Sequence, residues 1–335
     1  IGPGDVFANP ALAATLERMA EVGWRNYYQE ELWPQMLALF GPSAGGLLTR
    51  ADLEAFEVTY TPALQFDYRG ARLSTPPPPA AGGVFIRLML SVLETVKVGP
   101  ENWDRAMACA MKIVDMARSP GAPPPSDLTH WRGQYGEVLD APLGRTPSAP
   151  GGHSSTTHIS VIDADGNAAG VTVSHGEGNA VFIGDTGIHM NNFMGEADLH
   201  PQGWFQAAPG TRLTTMMTPT VMEGADGSLT VLGSGGANRI RTAITQVVCE
   251  LIDCQREPVA AVEAPRLHFE HGVLNAEGFD HPDGRGWLAN LGAERLVIFP
   301  DRNMFFGGVH VARKMADGAL VGAGDPRRSG TVEIR

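Results

Sequence analysis

The chain has 335 residues, 43% of them hydrophobic, and a formal net charge of −12. That length allows one large domain or two moderate ones with a real core. No apolar run reaches the ~18 residues of a membrane span, and the negative charge argues against nucleic acid or an anionic membrane as the main partner, leaving small molecules and peptides open. Cys109, Cys249 and Cys254 are too few and too scattered for a disulfide framework and read as buried small hydrophobes. They leave the compartment open between periplasmic or secreted and cytoplasmic. The opening Ile1-Gly2-Pro3-Gly4 reads as a loop already inside a domain, so an N-terminal portion is expected to precede it.

Residues 10–40 carry helical periodicity, with Leu12, Leu16, Met19, Ala20 and Val22 on one face and a second run, Tyr27–Phe40, that contains Pro34. Thr49 and Asp52 predict an N-capped helix to about Phe56. Strands are expected at Glu57–Tyr60 and Leu64–Leu73, the second broken at Arg69-Gly70. The four prolines of 76–79 and Gly82-Gly83 form an extended strap, either a plain connection or a cleft wall, before helices at Val84–Val96 and Trp103–Ala117. Residues 119–155, rich in Pro, Gly and Ser, read as a linker. A hairpin of Thr156–Ile162 and Ala168–Ser174 follows around Asp165-Gly166-Asn167, then strands Thr218–Met222 and Leu229–Leu232. Helices at Arg239–Ile252 and Val259–Ala264 precede late strands at Leu296–Phe299, Phe306–Ala312 and Ala319–Val321. Helices first and antiparallel hairpins later predict an α+β or layered sandwich architecture, not a doubly wound parallel sheet.

Three stretches carry chemistry. Gly151-Gly152-His153-Ser154-Ser155-Thr156 reads as a concealed N-terminus. A cut between Ser155 and Thr156 would give one residue both a hydroxyl nucleophile and an α-amine of pKa about 7.7–8 to act as its base. The run Gly233-Ser234-Gly235-Gly236-Ala237-Asn238-Arg239 passes from a strand through a glycine turn into a helix. It presents backbone N–H groups and the positive end of a helix to an anion or oxyanion. A structural turn is the alternative; a dinucleotide fingerprint would need a third glycine and a βαβ setting. Thr211–Thr220 is dense in hydroxyls, suited to holding a carboxylate or simply a threonine-rich strand start. The ten histidines, among them His153, His158, His175 and His189, show no metal spacing and read as hydrogen-bonded structural groups.

Several motifs in one order resemble the γ-glutamyltransferase (glutathione hydrolase) family of N-terminal nucleophile hydrolases. They are Thr75 to Gly83, Thr156-Thr157-His158-Ile159-Ser160-Val161, Gly187-Ile188-His189-Met190-Asn191-Asn192, Leu213–Thr220, Gly233–Ile240, Ala264-Pro265-Arg266 and Gly324-Asp325-Pro326-Arg327. The resemblance implies a four-layer αββα sandwich and a precursor that cuts itself at Ser155/Thr156. Residues 1–155 would then be the later part of a large chain plus linker, and 156–335 a small catalytic chain, the two intertwined in one domain. It implies Thr156 as nucleophile, Ser174 as a hydroxyl that hydrogen-bonds it, and Thr214 and Thr215 as binders of the glutamyl carboxylate. The turn Gly235, Gly236 and Ala237 would carry the oxyanion hole. Substrates would be γ-glutamyl amides such as glutathione with water or an amine or peptide as acceptor, and neither metal nor organic cofactor is implied. Where the family has a glutamine and an aspartate for the substrate ammonium, this chain has Phe193 and Glu196. Glu196 can still pair with an ammonium and Phe193 cannot, which leaves open an acylase with another acyl group. A silent homologue or fragment that only binds is the third reading.

Overall fold

The computed structural model describes residues 4–99, 101–119, 121–140, 155–200, 203–278 and 295–335. The chain divides into two compact units, Ile1–Tyr60 with His175–Gly195, and Thr61–Ser174 with Glu196–Arg335.

In the first unit, Asn9 caps α1 (Pro10–Val22) by accepting from the Leu12 N–H at 3.0 Å. The inward residues are Leu12, Thr15, Met19 and Val22, a helical stripe. Leu16, expected on that stripe, is instead 56% exposed, because the loop 183–187 packs beside Thr15. The Thr15 hydroxyl donates to the Thr186 carbonyl at 2.9 Å and the Asn9 amide to that of Gly187 at 3.3 Å. A turn, α2 (Trp24–Asn26), runs through a π-helical segment, Tyr27–Leu32, into α3 (Trp33–Phe40). Pro34 sits in the first turn of α3, where its missing N–H costs little. The predicted capping box of Thr49 and Asp52 opens α4 (Arg50–Ala55). Tyr27, Leu32 and Ile183 make a small core. No strand forms at Glu57–Tyr60: the run is exposed and lacks a partner strand among the described residues, and without one its alternation fixes nothing.

In the second unit, β1 (Leu64–Tyr68) and β2 (Ala71–Thr75) form a hairpin about Arg69-Gly70, both at positive φ. Then come α5 (Gly82–Leu93), α6 (Trp103–Ala117), α7 (Leu128–Asp140), β3 (Thr157–Ile162), β4 (Ala168–Val173), β5 (Thr220–Glu223) and β6 (Leu229–Gly235). They are followed by α8 (Arg239–Ile252), α9 (Pro258–Glu263), β7 (Leu267–Glu270), β8 (Val273–Glu277), β9 (Arg295–Phe299), β10 (Gly308–Lys314) and β11 (Leu320–Ala323). Three elements, α7, β7 and β8, went unread in the sequence. Helix α7 lies inside the expected linker, its Leu128, Trp131, Tyr135 and Val138 packed on the core at helical spacing behind a proline screen. The β7–β8 hairpin turns on His271-Gly272, where the reading had placed nothing. The linker's remainder, 141–154, lies outside the described residues.

One antiparallel sheet has the order β1-β2-β5-β6-β10-β11. Helices α5 and α8 pack on it through a core that contains Ile86, Leu90, Leu232, Ile244, Val248 and Val309. The β3–β4 hairpin packs on β6. The described residues of this unit thus form layers of helix, sheet and hairpin, a mixed α/β build. Strands β1 and β2 precede the proposed cut, yet β2 pairs with β5 beyond it. No helix among the described residues is long and apolar enough to cross a membrane.

The C-terminal turn is fastened by buried charge. Arg327 donates to both Glu277 oxygens, at 2.8 Å from Nε and 2.5 Å from Nη2, and reaches Asp325 at 3.3 Å. Asp325 also accepts from Arg266 at 2.6 Å and from the Val309 N–H at 2.9 Å. All four side chains are almost completely buried. The two arginines hold the Asp325 carboxyl below its ordinary range against the opposing pull of burial. Removing one member strands the others in a low dielectric. Arg327→Met is expected to lower unfolding free energy by about 3–5 kcal/mol in urea titrations, the cost of an uncompensated buried charge.

Candidate active site

The site is built on two strands that advance in step. β6 is buried from Thr230 onward, and Val231, Gly233 and Gly235 face the hairpin while Leu232 faces the helical core. On the segment leading into β3, Thr156 and His158 point inward and Thr157 and Ile159 outward. His158 lies over Gly233, where a Cβ would come within 2.3 Å of the imidazole. Thr156 lies over Gly235, where a Cβ would come within 2.1 Å of its carbonyl oxygen. The two glycines let the hairpin sit against the sheet.

The hairpin register Thr157↔Val173 brings the next pair, Thr156 and Ser174, face to face. The Thr156 hydroxyl donates to the Ser174 Oγ at 2.8 Å, and Thr156 is 5% exposed. Ser155 is exposed beside it, while His153 and its neighbours 151–154 lie outside the described residues. His158 pairs through Nδ1 with the Thr172 hydroxyl at 2.8 Å and through Nε2 with that of Ser160 at 2.9 Å; Ser160 donates on to the His310 carbonyl. Burial, and after it the neighbouring His310, pushes the His158 pKa down to about 4, so the imidazole is neutral.

Beyond Gly235 the chain turns sharply into α8. Gly236 has φ +123° and Ala237 +49°. A Cβ on Gly236 would lie 2.9 Å from the Gly307 Cα, so the turn is pressed between Thr156 on one side and the 307–308 backbone on the other. The N–H groups of Arg239 and Ile240 return to the carbonyls of Gly236 and Ala237. Those of Gly236 and Ala237 have no acceptor among the described residues. Gly235 therefore lies against Thr156, and Gly236 and Ala237 continue the turn from it.

The residues expected from the sequence to bind substrate are ordered by other means. Ala80 bridges Thr215, the Ala81 N–H donates to the Thr215 carbonyl at 2.8 Å, and the Thr215 hydroxyl accepts from the Met217 N–H at 3.1 Å. The proline strap is thus a template for the threonine run: a Cβ on Gly82 would fall 1.9 Å from the Thr218 hydroxyl. Thr214 is half-buried on the same run. Glu196 is half-buried and opens a 3-10 turn, Ala197–Leu199. Phe193 belongs to the first unit, where its N–H donates to the Asn191 side chain at 3.2 Å. In that unit His175 and Phe182 stack on His189, with ring centroids at 5.6 and 4.9 Å. Among the described residues no group of three His, Cys, Asp or Glu could hold a metal.

Sequence reasoning gave no role to Arg239, which ends the glycine run, and did not single out Arg328. The Arg239 guanidinium lies 4.9 Å from the Phe305 ring centre and its Nε donates to the Phe305 carbonyl at 3.0 Å. Arg328 reaches the Thr156 carbonyl at 3.5 Å. Arg328 directly follows the Gly324-Asp325-Pro326-Arg327 motif, but nothing local there foretells a contact 172 residues away.

A sequence model of the family described as gamma-glutamyltranspeptidase matches residues 1–334. The chain is 30% identical over 349 residues to the "Acylase ACY 1 proenzyme" of Pseudomonas sp. (strain SE83), covering 98% of this chain and 62% of that protein. It is 30% identical over 359 residues to the "Glutathione hydrolase proenzyme" of Escherichia coli (strain K12), covering 97% and 61%. The chain therefore spans about three fifths of the length of these relatives. Among solved structures, a cephalosporin acylase from Bacillus halodurans superposes with a TM-score of 0.78 at 23% identity, covering 98% of this chain and 63% of that one, a likeness of fold.

The neutral His158 sets a pH dependence. An unfolded histidine titrates near 6.5, so stability is full above that pH and falls as pH drops from there through about 4. By pH 5 this one group costs about 2 kcal/mol relative to pH 7. In His158→Gln the difference between urea unfolding free energies at pH 7 and pH 5 is expected to shrink by about that amount.

Proposed function

The chain belongs to the gamma-glutamyltranspeptidase family, and on that premise we propose that it is a self-processing amidohydrolase or acyltransferase with Thr156 as its nucleophile. The observation that carries this reading is the buried Thr156 hydroxyl, hydrogen-bonded to Ser174, on a residue that lies against Gly235 at the start of the Gly235-Gly236-Ala237 turn. In the uncut chain the hydroxyl attacks the Ser155 carbonyl and the C–N bond to Thr156 breaks. The hydroxyl proton passes to the departing amine, and water hydrolyses the resulting ester. The cut frees the α-amine and returns the hydroxyl.

In turnover that amine takes the hydroxyl proton as Thr156 attacks the substrate amide, then passes it to the leaving amine. The amides of Gly236 and Ala237 hold the oxyanion, a role in which one donor contributes roughly 3–4 kcal/mol. Water or an acceptor amine resolves the acyl-enzyme. Thr214 and Thr215 hold a carboxylate of the acyl group and Glu196 its ammonium, which favours γ-glutamyl compounds such as glutathione. Because β2 pairs with β5 and α5 packs near α8, the pieces 1–155 and 156–335 stay together as intertwined large and small chains after the cut.

A second reading, an acylase for a different acyl group, is favoured by one feature. Phe193 is an apolar side chain in a stretch where the resemblance implies an amide that binds the ammonium, and the Pseudomonas relative is named an acylase.

Thr156→Ala is expected to stay uncut and to lose turnover altogether. Ser174→Ala should lose roughly tenfold in kcat, the worth of one hydrogen bond to the reacting hydroxyl. Initial rates on γ-glutamyl anilide against anilides of other acids decide the acyl group, and equal rates would favour the acylase. Activity retained in Thr156→Ala would overturn the mechanism.

A further inference from the structure

The β3–β4 hairpin is a two-stranded sheet laid on a six-stranded one. β4 packs over β5 and β6, and β3 over β6 and β10. The next place in that layer, above β10 and β11, is a cavity of about 660 Å³. Residues 157–164 wall it along the whole of β3, and residues 310–313 of β10, 320–323 of β11 and 328–335 complete the lining. No residue of β4 lines it, so the cavity lies on the side of β3 away from its partner.

The hairpin register fixes what β3 presents there. At the turn the Asp163 N–H donates to the Asn167 carbonyl at 3.0 Å. Pairing then runs one to one from Ile162↔Ala168 to Thr157↔Val173. Hydrogen-bonded pairs alternate along an antiparallel ladder, so Val161, Ile159 and Thr157 bond to β4. His158, Ser160 and Ile162 turn their N–H and C=O groups toward the cavity, where none has a backbone partner among the described residues.

Nothing guards this edge against pairing. Exposed strand edges are ordinarily blunted by lysine, proline or a bulge. β3 has none of these in Thr157–Ile162, and its Thr, Ile and Val are strand formers. The outer face of the hairpin is bare as well, with Ile159, Val161, Val171 and Val173 50–56% exposed. A two-stranded sheet of this kind is marginal alone. The two relatives match over 97–98% of this chain but only 61–62% of their own length, so about two fifths of such a polypeptide lies outside the matched part.

We propose that the cavity is a strand-addition site, filled in the full-length protein by an extended segment of the same polypeptide from outside residues 1–335. That segment pairs with His158, Ser160 and Ile162 as a third strand of the hairpin's sheet. Strand addition satisfies a row of backbone groups at once, and a tethered segment reaches its site at high effective concentration. Thr156 leads into β3, so the added strand fixes from the second edge the element that carries it. The inference stands whether or not the chain is cut before Thr156.

The test is hydrogen exchange of the full-length protein, read residue by residue, together with photo-cross-linking from Thr331→p-benzoylphenylalanine, an exposed position on the cavity lining. The amides of Ser160 and Ile162 should exchange at least about a hundredfold more slowly than in an unstructured chain, as those of Ile159 and Val161 do in the ladder. The cross-linked peptide should come from outside residues 1–335. Exchange of the Ser160 and Ile162 amides at the unstructured rate overturns the proposal, and so does a reading frame that holds no residues outside 1–335. A cross-link to a peptide within residues 1–335 or to another protein overturns it too, as does protection lost on dilution, which marks a second copy. A cut before Thr156 without protection along β3 sinks this inference alone, whereas protection in a chain that is never cut leaves it standing and sinks the reading of Thr156.

Discussion

The close approach of β3 to β6, allowed by the absence of side chains at Gly233 and Gly235, is the constraint on which the site depends. Both strands advance with a period of two, so one register decision places His158 over the first glycine and Thr156 over the second. The same contact buries both residues. Burial keeps the imidazole neutral, and it leaves the Thr156 hydroxyl to find its partner across the hairpin in Ser174. A side chain at either glycine would push the hairpin outward and dissolve the arrangement.

The surroundings serve that contact from a distance. Gly236 can turn at φ +123° because Gly307 leaves space behind it, and Gly308 leaves space for the stem of Arg328. The segment that carries Arg328 is held by charges buried among Arg266, Glu277, Asp325 and Arg327. Such a lattice is a costly way to obtain stability, but it fixes position, and what it positions is a cation at the Thr156 carbonyl.

Much of this was legible in the sequence where the signal is local. A glycine turn between a strand and a helix, a Thr-Thr-His run opening a hairpin, and a Thr49/Asp52 capping box each carry their cause within a few residues, and each formed. What escaped the reading depends on distance or on masking. Helix α7 has its apolar residues at helical spacing but stands behind Pro123, Pro124 and Pro125, which suggested a linker. Arg327 meets Glu277 across 50 residues and Arg328 meets Thr156 across 172, and no spacing announces either. The expected strand at Glu57–Tyr60 failed for the converse reason, since alternation alone does not supply a neighbour. The departure at Phe193 and Glu196 from the residues the family resemblance implies is plain in the sequence, and under the proposed function it bears on the choice of acyl group.

The central claim is that Thr156 is a concealed N-terminus, and the intact mass of the purified full-length protein during incubation near neutral pH tests it most directly. The account predicts that a single species gives way to two, one beginning at Thr156 and staying bound to the other through the shared sheet. A chain that remains whole, or is cut at any other bond, while still hydrolysing amides would contradict it.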